Sequence, residues 1–234
     1  MTTSVSIRPE VFNTEDILPL LTRYQMLPQL HREQMIDRAI APFACTESDI
    51  EMACEQFFQQ RQLMSAQERQ TWLAQRGMTV EDVEAIASRL LRIEMFKQAT
   101  WGHKVESYFL KRKSDLDEVV YSLIRTTDAN LIQELFFRIQ DGEQSFSDLA
   151  RRYSQGLEAY TGGIHGPIEL GLIEPNLAQL LRTSRPGQLH FPIRIETCFV
   201  MVRLEALIPQ RLDQAMRQRL LQELFEQWLQ DQLR

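Results

Sequence analysis

The sequence predicts an α+β fold, with a helical N-terminal lobe joined by a C-terminal helix and a small domain built on an antiparallel sheet surrounded by helices. Three observations carry it. Apolar residues recur at three- and four-residue steps from about residue 14 to 113, with almost no strict alternation. Composition then turns to β-formers at Val119, Val120, Tyr121, Leu123 and Ile124. A last amphipathic stripe runs through Leu212, Met216, Leu220, Leu221, Leu224, Phe225, Trp228 and Leu229.

In order, Thr14 is placed to cap a helix carrying Ile17, Leu18, Leu21 and Tyr24, which Pro28 closes because proline disfavours helix in the residue before it. A second helix is expected from about Gln29 to Ile40. A third, opened by Thr46 or Ser48, carries Phe57 and Phe58, and a short fourth runs from Ser65 to Gly77. Thr79 with Asp82 resembles a capping box, and Val83, Ile86, Leu90, Ile93 and Phe96 extend that helix to about Lys111. A strand follows at Val119–Ile124, then a helix over Asp128–Asp141, a shorter one opened by Ser145 or Ser147, and a loop through Thr161–Gly166. Arg185–Gln188 reads as a turn, and the runs Leu189–Ile195 and Thr197–Leu204 read as two strands. Asp213 is placed to cap the last helix. The expected divisions are residues 1–116, 117–207 and 208–234, the last packing on the first.

Composition narrows the function. The chain has 234 residues, 44% hydrophobic and 25% charged, with net charge -6 and pI near 5.4. Such a chain buries a sizeable core and offers no global basic field to nucleic acid or an anionic membrane. The run Lys111-Arg112-Lys113 reads as a solvated helix end. MTTSVSIRPE shows no basic segment followed by an apolar one, and no apolar run reaches bilayer length, so a cytoplasmic location without membrane insertion is expected. Cys45, Cys54 and Cys198 form no CxxC, and His31, His103, His165 and His190 are scattered, so no metal and no cofactor are expected.

Five segments of the small domain resemble the parvulin (PpiC, or rotamase) family of peptidyl-prolyl isomerases: VVYSLIRT (119–126), FSDLARRYS (146–154), GGIHGPI (162–168), GLIEPNLAQLL (171–181) and PGQLHFPI (186–193). The helical region and closing helix further resemble bacterial foldases, cyanobacterial parvulin-like proteins among them. The resemblance implies a four-stranded antiparallel sheet and a groove for proline. It also implies proline-containing peptides or unfolded proteins as partners.

Position by position, the resemblance places the family's first-strand histidine at Ser122, its cysteine or aspartate at about Gly156, its pocket methionine at Ile173 and its pocket phenylalanine at Leu177. The last-hairpin threonine or serine falls at Ile195 and the last-strand histidine at Val200. Ser122 is thus the expected catalytic residue, and Ile173, Leu177, Ile195 and Val200 the expected substrate contacts, with His165 beside Gly166 as a further one. Tyr121 and Phe199, as strand neighbours of these positions, are expected to point away from the groove. The implied function is an isomerase or foldase of weak activity acting on Xaa-Pro bonds. The alternatives are a non-catalytic peptide-binding chaperone or adaptor for an export substrate, and a structural helical protein with an unrelated α+β appendage.

Overall fold

A computed structural model describes residues 14–233, excluding the side chains of residues 14–16. The Thr14 cap and the reading of MTTSVSIRPE therefore lie outside the described residues. By its contacts the chain forms two compact units, residues 1–103 with 221–234, and Lys104–Leu220.

The first unit is helical: α1 (Thr14–Arg23), α2 (Leu27–Ile40), α3 (Glu47–Gln60), α4 (Ala66–Arg76) and α5 (Val80–Trp101). Pro28 stands in the first turn of α2, where its missing N–H costs nothing. Thr46, Ser65 and Thr79 each cap the following helix and receive a carboxylate in return, from Asp49, Glu68 and Asp82. Gly77 ends α4 in the left-handed conformation. Phe57, Phe58, Leu73, Val83 and Ala87 form one core cluster. Residues 221–232 of the last helix bring Phe225 and Trp228 against Phe96 and Trp101, with ring centroids 5.2 Å apart for Phe96–Trp228 and 5.3 Å for Phe96–Trp101.

The helix expected to reach Lys111 stops earlier. α5 ends at Trp101, Gly102–Lys104 make a tight 3-10 turn, and α6 occupies Val105–Leu116. Glycine costs about 1 kcal/mol in a helix interior, which makes Gly102 the cheapest place to interrupt the run.

The second unit contains α6, β1 (Glu118–Thr126), α7 (Ala129–Gln140), α8 (Phe146–Tyr153), β2 (Ile164–Glu169), α9 (Pro175–Arg182), β3 (Ile193–Ile195) and β4 (Cys198–Ile208). The first turns of α10 (Gln214–Gln232) also belong to it, with Asp213 capping the Met216 N–H at 2.8 Å. The sheet is antiparallel in the order β2-β1-β4-β3. Its two faces carry separate clusters. Val119, Tyr121, Leu123, Val200, Val202 and Leu204 pack with Ile173, Leu177 and Leu181 of the α9 region. Ile124 and Met201 face Ile132, Leu135, Phe146 and Leu149 of α7 and α8.

Two local expectations give way. The loop expected through Gly166 contains the start of β2, an edge strand paired with β1. Its Gly166 and Pro167 hide the strand pattern, yet an edge tolerates both because one side of the ladder needs no partner. The strand expected at Leu189–Ile195 shrinks to Ile193–Ile195, with Leu189 making one bridge to Arg203. Pro192 lacks the N–H that a continuous ladder needs. Among the described residues no helix is long and apolar enough to cross a membrane.

Candidate functional site

The α9-facing side of the sheet gathers Ile173, Leu177 and Val200 into one cluster with Tyr121, Leu123 and Val202, and half-buried Ile195 packs at its border. Ile173, Leu177 and Val200 are only 9%, 4% and 5% exposed, so they make a floor rather than an open cavity. The N-cap carboxylate of Glu174 holds the Leu177 N–H at 2.9 Å and fixes the start of α9.

Ser122 does not join this cluster. Strand side chains alternate, and Ser122 stands on the opposite face from Tyr121 and Leu123. Its hydroxyl donates to Glu205 Oε1 at 2.5 Å, in a carboxylate also held by Arg203 at 2.8 Å. Tyr121, expected to point away, faces the floor at 6% exposure. A one-residue slip in matching β1 reverses every face assignment, which accounts for both corrections. Phe199 packs with the α7/α8 cluster, away from the floor.

His165 on β2 is registered opposite Tyr121, and the two rings stack at 5.1 Å with an 8° interplanar angle. The Nε2 atom of His165 is buried with no hydrogen-bond partner. Leaving such an atom unmatched costs about 1–3 kcal/mol, which in a native structure calls for a reason. Burial holds the imidazole below its usual range, with Arg125 acting the same way and Glu158 opposing. Burial, then the charge of Glu158, pushes the Tyr121 phenol up.

Glu158 is 2% exposed. Arg125 grips its two oxygens at 2.9 and 2.8 Å, and the Ser154 hydroxyl donates at 2.6 Å. Burial alone would raise this carboxyl, but the bonds from Ser154 and Arg125 outweigh it and hold the group below the usual range. Gly156 lies against the pair, and a Cβ there would collide with both Arg125 and Glu158. His190 is engaged elsewhere, its Nε2 2.6 Å from the Ser184 hydroxyl.

Sequence reasoning missed Tyr121, Glu158 and Arg125. A cue for Tyr121 lay in the alternation of β1, where Val119, Tyr121 and Leu123 share a face. The Arg125–Glu158 pair, 33 residues apart, left no local signal. Among the described residues no group of His, Cys, Asp and Glu could hold a metal ion.

The helical unit has its own cavity of about 450 Å³, floored by Ile36, Phe57 and Phe225. Its charges neutralise one another: Arg32 with Glu226 at 2.9 Å, Arg89 with Glu33 at 2.7 Å and Lys97 with Glu94 at 2.5 Å.

Residues 123–206 match the rotamase family model, the PPIC-type PPIASE domain. The second unit carries a parvulin-type domain. Among solved structures, the chain is similar to the peptidylprolyl isomerase PrsA from Bacillus cereus, at 16% identity and TM-score 0.52, covering 98% of this chain and 89% of that one. PrsA from Bacillus anthracis matches at 18% identity and TM-score 0.49, covering 88% and 95%. A SurA-like chaperone structure from Campylobacter jejuni matches at 12% identity and TM-score 0.39, covering 99% and 97%. At these identities the likeness to the B. cereus protein is one of fold. No curated protein sequence matches the chain. Against the family pattern stated above, the parvulin-type domain here carries Tyr121 and Val200 on the floor face and no histidine on β1 or β4.

Proposed function

We propose that the parvulin-type domain acts as a peptidyl-prolyl isomerase or foldase of weak activity, receiving Xaa-Pro segments of peptides or unfolded chains on the floor made by Ile173, Leu177 and Val200. The observation that carries this reading is the convergence of those three side chains with Tyr121 in one apolar cluster on a parvulin-type sheet. Ile195 and His165 line its border, and Ser122 has no part in it.

The chemistry asks little of the protein. Rotation about the imide faces a barrier of about 18–20 kcal/mol, and each ~1.4 kcal/mol removed accelerates it about tenfold. An apolar surface contributes by holding the proline ring and stripping water from the carbonyl, so that lost resonance is less opposed. Activity is weak because the floor residues are nearly covered and a peptide must displace what borders them.

Exchange spectroscopy by NMR on a panel of Xaa-Pro peptides tests this, with Ile195→Arg as the blocked control. Ile195 is half-buried at the border of the cluster, where an arginine stem can lie on the floor with its guanidinium in water. Faster cis/trans exchange that disappears in the variant supports the reading. The second reading is a peptide-binding chaperone or adaptor without catalysis, favoured by the absence of a histidine on β1 and β4. Line broadening of the peptides with unchanged exchange would establish it, and no response of any kind would sink both.

A further inference from the structure

We infer that the polar element of this site is rebuilt around His165, which hydrogen-bonds the bound peptide through Nε2. The inference rests on the groove reading above and names the group that such a groove uses.

Three observations lead to it. On the floor side of the sheet, β1 and β4 supply no histidine, and two groups there that can hydrogen-bond are the phenol of Tyr121 and the imidazole stacked on it. The space where the resemblance places a cysteine or aspartate side chain is occupied: Gly156 has no room for a Cβ because the Glu158 carboxylate and Arg125 already fill it. An acid is thus present at that place, delivered from two residues further along the chain. Finally, Glu158 has Arg125 and Ser154 as partners, whereas Nε2 of His165 has none. The unmatched atom is the one a ligand group completes. Nε2 is covered in the free protein, so contact with a peptide requires the ring to turn off Tyr121; His165 is half-buried and stands on an edge strand.

The chemistry is non-covalent. As the imide twists, its lone pair localises on the proline nitrogen while the carbonyl oxygen loses charge. A neutral imidazole N–H that reaches the nitrogen therefore binds the twisted state more tightly than the planar one. The charges that act on the ring are Glu158, which favours the imidazolium, and Arg125, which opposes it, with Tyr121 across the stack. Burial keeps the imidazole neutral at pH 7 and ready to serve either as donor or as acceptor.

The test uses the full chain as wild type, His165→Leu, His165→Gln and Glu158→Gln, with NMR exchange rates of one proline peptide from pH 5 to 8. The His165 ring signals are followed alongside. In His165→Leu, which installs an apolar residue at this position, we expect about a tenfold loss of acceleration, the size of one hydrogen bond at the reacting centre, and loss of its acid limb, the change of rate with protonation of the ring. His165→Gln should recover part of the rate. Glu158→Gln should move the acid limb and the His165 ring titration to lower pH, because the charge favouring the imidazolium is gone; a packing role alone would not move that titration in step with the rate. Equal rates and an equal acid limb in wild type and His165→Leu would overturn the inference, as would ring signals indifferent to saturating peptide. If nothing is accelerated but the ring signals move on peptide addition, isomerisation fails as the function and the contact stands. If Glu158→Gln does not fold, the His165 pair alone decides.

Discussion

His165 and His190 give the fold a defined acid sensitivity. Both imidazoles are held below their usual range, chiefly by burial. In the unfolded chain each binds a proton near pH 6.5, whereas the folded chain resists until a lower pH. Their contribution is therefore complete above about pH 6.5 and is lost as pH falls from there toward the folded values. Glu158 acts in a separate window, stabilising above the ordinary glutamate range and losing that contribution only as pH falls through its lowered value. We expect the melting temperature to drop between pH 7 and 5.5, and to drop less in His165→Leu; an equal drop in the variant would assign the sensitivity elsewhere. Residue faces were the least legible part of the sequence. Ile173, Leu177 and Val200 are apolar where apolar contacts were expected and do share a cluster. The roles of Ser122 and Tyr121 turned on a single position of register, which no composition rule can fix.

Among the elements, the capped helices were readable because their signals are local. Thr46, Ser65 and Thr79 stand three residues before an acid, and each makes the reciprocal bonds that this spacing permits. The break at Gly102 and the strand β2 were not readable, since both depend on what tertiary packing does with a glycine. Gly166 shows how tightly β2 is specified. Its φ is +105°, and a Cβ would run into the carbonyl oxygen of Val119 on β1. We expect Gly166→Ala to cost about 2 kcal/mol or more, through strain and displacement of the β1–β2 pairing. Hydrogen exchange at the β1 and β2 amides measures it. Unchanged protection at Leu123, whose N–H donates to Gly163 O at 2.8 Å beside this strand, would show that the loop absorbs the change.

For the molecule as a whole, the charge and the chromophores divide unevenly between the units. Residues 104–220 hold 15 basic and 15 acidic residues, so the net charge of -6 resides in the first unit. All three tryptophans, Trp72, Trp101 and Trp228, lie there as well. Tryptophan fluorescence therefore reports the first unit, while the amide signals of β1 and β4 report the second. Phe225 is 3% exposed and meets Phe96, Trp101 and Trp228. Removing its ring from a packed aromatic cluster costs about 3–5 kcal/mol. We expect Phe225→Ala to lower the stability read by fluorescence by that amount, through a lower denaturant midpoint at a preserved slope. If the β1 and β4 signals keep the wild-type midpoint, the units unfold independently and a client could engage one while the other is open. If both probes shift together, the last helix ties them into one cooperative transition, and a change in the helical unit becomes a change in the stability of the second unit.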